Sequence, residues 1–80
     1  MRNWQEHIVT DPKILLGKPI IKDTRISVEF ILERLATGWT EAEILENYPR
    51  LSKESIKAVF AYSLECMKDG LLFPRALKRA

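Results

Sequence analysis

The sequence predicts a mostly helical fold, a trihelical helix-turn-helix bundle over residues 27–70 with a short N-terminal β arm at 8–26 and a basic tail at 71–80. Three observations predict it. Residues 28–69 hold three consecutive segments of helical periodicity, and the connections between them are short enough to force the segments together. Ahead of them lie brief β-branched apolar runs broken by turn residues. Eighty residues make a single domain, 1–80, and a chain this short hides only roughly 60% of its unfolded surface, which favours assembly with another chain.

In chain order, Ile8-Val9, Ile14-Leu15-Leu16 and Ile20-Ile21 read as two or three short strands. Thr10-Asp11-Pro12, Gly17-Lys18-Pro19 and Lys22-Asp23-Thr24 punctuate them. An isolated hairpin of this size is marginal in water. The arm therefore has two outcomes open to it: pairing through its free edges with a second chain, or folding back to hide its isoleucines on the bundle. Gly17-Lys18-Pro19 lacks phosphate-loop spacing. Arg25, four residues before Glu29, is placed to pair with it or to meet a phosphate or partner.

The first helix, Val28 to Thr37, sets Val28, Ile31, Leu32 and Leu35 on one face, with Glu29, Glu33 and Arg34 opposite, and Thr37-Gly38 is its stop. Trp39 follows as a lid on the core. The second helix opens on the capping box Thr40-x-x-Glu43, carries Ile44, Leu45 and Tyr48, and ends at Pro49. Ser52 caps the third, from Lys53 to Asp69, about 25 Å long. Its expected inward face is Ile56, Val59, Phe60, Ser63 and Met67, and it closes at Asp69-Gly70. Tyr62 falls beside that stripe, as core or interface, and the role of Trp4 is open.

Composition excludes several classes of function. The longest unbroken apolar run, Ala58 to Tyr62, is far short of the ~20 residues that span a bilayer, and no apolar signal region follows Met1, so the reading is cytoplasmic with no membrane role. One cysteine, Cys66, and one histidine, His7, form neither a disulfide nor a Cys/His metal cluster. Cys66 reads as a small apolar residue beside the core and His7 as solvent-exposed. No titratable pair in a pocket is apparent, so no catalytic residue, cofactor, metal or small-molecule substrate is expected.

Charge is uneven. Residues 1–27 carry five basic against three acidic side chains, 28–66 four against seven, and 67–80 four against one. An acidic bundle weakens generic DNA binding, which draws on phosphate neutralisation, although a dimer gathering its basic ends offers a route. Equally, acidic helices suit a basic cleft on another protein.

If the third helix reads DNA, its outward side presents Lys53, Ser55, Lys57 and Ala58 to phosphates and base edges, with Arg50 in the turn on the backbone; Glu54 opposes this. The alternative is a solvated face. Ile8, Ile14, Leu15 and Ile20 of the arm, with Leu72 and Phe73 of the tail, are the candidate dimer or partner contacts.

The blocks Gly17-Lys18-Pro19-Ile20-Ile21, Thr24-Arg25-Ile26-Ser27-Val28, Leu35-Ala36-Thr37-Gly38-Trp39 and Tyr48-Pro49-Arg50-Leu51 fall in the order and spacing of domain-of-unknown-function family 433, which the chain resembles over residues 8–66. The resemblance implies a β arm before a homeodomain-like bundle, a homodimer, and an antitoxin that partners and neutralises a PIN-like toxin nuclease. With the trihelical layout, which would set the last helix in a DNA major groove, it points to operator binding through helix three, against the alternative of an adaptor dimer without nucleic acid. The sequence departs from the family at Leu16, where a second glycine is usual, and at Asp23, where glycine precedes Thr24-Arg25. A positive φ at Asp23 would be tolerated at some cost.

Overall fold

The computed structural model describes residues 3–69. A two-stranded antiparallel ribbon, β1 (Ile8–Val9) and β2 (Ile20–Ile21), precedes three helices, α1 (Val28–Ala36), α2 (Glu41–Asn47) and α3 (Lys53–Lys68). Ile8 pairs with Ile21 and Val9 with Ile20.

Each helix starts where its cap residue predicts. The Ser27 hydroxyl accepts from the Phe30 N–H at 2.9 Å. Thr40 and Glu43 cap reciprocally, as do Ser52 and Ser55. Gly38, at φ +107°, takes the chain out of α1 in the left-handed region that favours glycine.

The arm folds back. Ile8 and Ile21 share one core with Val28, Ile31, Ile44, Leu51, Ile56 and Val59. Ile20 is buried as well. The turn between β2 and α1 closes through backbone bonds, Ile21 N–H to the Ile26 carbonyl and Val28 N–H to the Pro19 carbonyl. Thr24 stitches it further, its hydroxyl donating to the Ile21 carbonyl and accepting from the Ile26 N–H. Asp23 there has φ +64°, the conformation for which glycine is the easier residue.

Residues 14–16 are not a strand. Leu15, Leu16 and Gly17 have φ of +49°, +58° and +81°, and three successive left-handed residues cannot sit in an extended ladder. The Asp11 carboxylate holds the Lys13 N–H, the Asp11 carbonyl holds the Ile14 N–H, and the chain turns before reaching β2. Lys18, rather than Arg25, pairs with Glu29, at 2.9 Å. Both groups are well exposed, so the pair adds little stability.

The largest departure concerns α3. Its buried residues are Ser55, Ile56, Ala58, Val59 and Cys66, whereas Phe60 and Met67, expected inside, are exposed. At 3.6 residues per turn this rotates the inward face by roughly 70°. Both the N-terminal turn Trp4–Glu6 and β1 pack on α3, adding cover that the bundle alone does not supply. The Trp4 ring meets Tyr62 edge-on with centroids 4.9 Å apart, and its indole N–H donates to Glu65.

Burial pushes the Tyr62 phenol above its ordinary value of 10, and the neighbouring Cys66 adds to the rise. The unfolded chain therefore ionises this group first. Its contribution is fully present below the unfolded value and is lost as pH climbs through the folded one. Thermal unfolding followed from pH 9 upward is expected to show a decline that Tyr62→Phe reduces.

Candidate docking surface

Among the described residues no group of three or more His, Cys, Asp or Glu side chains is placed to hold a metal ion, and no helix is long and apolar enough to cross a membrane. What α3 does present is an exposed stripe. Phe60, Leu64 and Met67 are 50%, 54% and 58% accessible. Spaced i, i+4, i+7, they share one side of the helix, and Lys53 and Lys57 continue it toward the N-terminus within an arc of about 80°. The arc lies opposite the face turned to the core. Glu54, Ala61 and Lys68 flank it.

The helix needs its buried side to hold α1, α2 and the arm together, but nothing in the described chain requires large apolar side chains on the other. A lone exposed leucine is ordinary; three aligned large apolar residues on a helix otherwise well supplied with charge mark a contact surface.

The residues singled out for DNA contact separate into two groups. Lys53 and Lys57 are exposed on the outward face. Ser55 and Ala58 are buried, contrary to expectation. The Ser55 side chain is committed to the helix cap, accepting from the Ser52 N–H at 3.2 Å, and Ala58 belongs to the buried core. Arg50 donates to the Asp23 carbonyl, tying the α2–α3 turn to the arm. Lys53, Lys57 and Arg50 are thus the three of the five residues that stay exposed.

The arm residues divide similarly. Ile8 and Ile20 are interior, so they serve the chain's own core and present no contact to a second chain. Ile14 is half-buried, while Leu15 and especially Leu16, 94% accessible, project from the turn. Leu72 and Phe73 lie outside the described residues.

Two further features surround α1. An open apolar groove between α1 and the C-terminal half of α3 is lined by Val28, Leu32, Ala36, Ser63 and Cys66. On the α2 side, Arg34 lies over the rings of Phe30 and Trp39, 4.5 and 5.1 Å from their centroids, and Tyr48 meets Phe30 edge-on. This cluster holds Trp39 in its lid position. Sequence reasoning placed Arg34 in solvent and gave Phe30 no role, although an arginine four residues from an aromatic on one helix is itself a signal.

The family model described as "Protein of unknown function (DUF433)" matches residues 8–63. An uncharacterized protein of Sinorhizobium fredii (strain NBRC 101917 / NGR234), y4eO, is 30% identical over 59 residues. Those residues are 74% of this chain but 27% of that protein, so the chain spans about a quarter of its length. The crystal structure of a DUF433 member protein from Anabaena variabilis ATCC 29413 matches with a TM-score of 0.74 at 29% identity, over 81% of this chain and 64% of that one.

Proposed function

The chain belongs to the DUF433 family of proteins of unknown function, and on that premise we propose that it is an antitoxin-like regulatory protein that works by docking protein chains on the outward face of α3. The observation that carries this is the stripe of Phe60, Leu64 and Met67. Desolvating such a stripe against another apolar surface is favourable in proportion to the area covered, and its lysine border gives orientation.

The regulated partner is a toxin nuclease of the PIN-like kind. The acidic side chains of α1 and α2, Glu29, Glu33, Glu41, Glu43 and Glu46, support it from beside the stripe, since an enzyme that cuts nucleic acid carries a basic cleft that acidic helices complement. Catalysis is no part of this role. The test is inhibition: the protein purified with its companion from the native host lowers the companion's nuclease activity, and Leu64→Glu removes that effect. Recovery of the protein alone, or inhibition untouched by Leu64→Glu, defeats the reading.

Operator binding is a second, weaker role, supported by Lys53 and Lys57 on the same face. Titration of the upstream duplex at two salt concentrations measures it. Lys53→Glu with Lys57→Glu is expected to weaken duplex binding sharply and to lower the salt slope by about 2, one unit per phosphate contact. A protein with no duplex binding at low salt is an adaptor only.

A further inference from the structure

We infer that the stripe on α3 is a homotypic seam, on which a second copy of this chain lays its own α3 antiparallel, about a two-fold axis near Ala61; this rests on reading the outward face as a docking surface. The order of side chains along the helix selects this occupant. In heptad terms Lys53, Lys57, Phe60, Leu64 and Met67 occupy successive core positions, and Glu54, Ala61 and Lys68 the flanking positions on one side. Run antiparallel, Phe60 falls against Leu64 of the partner subunit, and Lys57 lays its aliphatic stem across the partner's Met67 with its ammonium group at the solvent edge.

The flanking charges complete the match. Glu54, in the first turn, meets the partner's Lys68, in the last, and the two-fold repeats that pair at the other end of the seam. Ala61, at the centre, meets the partner's Ala61, small enough for the two helices to approach. A parallel arrangement fails on the same residues. It stacks Lys53 and Lys57 against their own copies and puts Glu54 and the partner's Lys68 on opposite sides of the seam, while the aligned helix dipoles also oppose it.

Three large apolar side chains per copy form a small interface, below the ~800 Å² per partner of standard-sized complexes, so the dimer is a weak one that forms with rising concentration. That suits a surface shared between self-association and a nuclease: dissociation of the pair frees the stripe.

Variants with one added cysteine read the arrangement directly, since Cys66 is buried and the unmodified protein serves as the control. With a short thiol crosslinker at a concentration where light scattering detects dimer, Ala61→Cys is expected to link to itself. Glu54→Cys and Lys68→Cys should link when mixed and neither alone. Glu54→Lys is expected to weaken the dimer by roughly tenfold, and adding Lys68→Glu to restore it. Unchanged melting curves for these surface variants exclude misfolding. Self-linking of Lys68→Cys alone, or a monomer across about a hundredfold range of concentration, overturns the inference. The docking reading is judged separately by nuclease inhibition: a monomer whose inhibition is lost with Leu64→Glu refutes the seam and leaves docking intact.

Discussion

Ile31→Ala is expected to lower the unfolding free energy by about 2–5 kcal/mol, the range for truncating a fully enclosed isoleucine. Ile31 has no accessible surface and sits in the shared core with Ile44, Ile56 and Val59, so the truncated site has neighbours on every side and little freedom to collapse. A domain of this length has a total stability of roughly 4–12 kcal/mol, so one side chain represents a large share of it. Urea unfolding followed by helical signal measures the change. The midpoint should fall with the slope preserved, since the surface exposed on unfolding scarcely changes. Leu16→Ala provides the contrast, an equally apolar residue almost wholly in solvent, and should move stability by no more than about 0.5 kcal/mol. If the two variants behaved alike, the placement of α1 at the centre of the core would be wrong.

The residues that made the helices legible were those whose meaning is local. Ser27, Thr40 with Glu43, Ser52 and Gly38 act within a turn of the backbone they cap, and the three helix starts and the end of α1 follow from them. The orientation of α3 was not legible, because periodicity identifies an apolar arc without saying which part of it is covered. Phe60 and Met67 belong to the inward arc as read from the sequence, but the packing of β1 and of Trp4, which meets Tyr62 and Glu65 some sixty positions away, adds cover on another side of the helix. That contact has no signature in α3 itself. The same displacement enclosed Ala58 and left Phe60, Leu64 and Met67 exposed alongside Lys53 and Lys57. The turn at Leu15–Leu16 escaped for a different reason. Left-handed backbone is signalled by glycine, and the first two of its three residues are leucines.

Removing residues 1–22 is expected to abolish cooperative unfolding, although all three helices remain in the chain. The deletion takes away Ile8 and Ile21, which share the core with the helices, and the buried Ile20, together with the Trp4 contact on α3. At about 1.5–3 kcal/mol for each enclosed aliphatic side chain, three isoleucines account for about 5–9 kcal/mol of burial, comparable with the entire stability of so small a domain. The loss also exposes Val28, Ile56 and Val59 from the arm side, so the remaining helices inherit an open core rather than a smaller closed one. The expected product has reduced helicity and a broad, non-cooperative thermal transition by circular dichroism. The opposite result has a definite meaning. A truncated chain that melts sharply with native helicity would show that the bundle closes without the arm, and the arm's isoleucines would then be free to pair with another chain. Between these outcomes the backbone favours the first. Bonds from Ile21 to Ile26 and from Val28 to Pro19, with the Arg50 guanidinium on the Asp23 carbonyl, join the arm to the start of α1 and to the α2–α3 turn at once. An arm swapped onto a second chain would have to break these bonds before it could form any others.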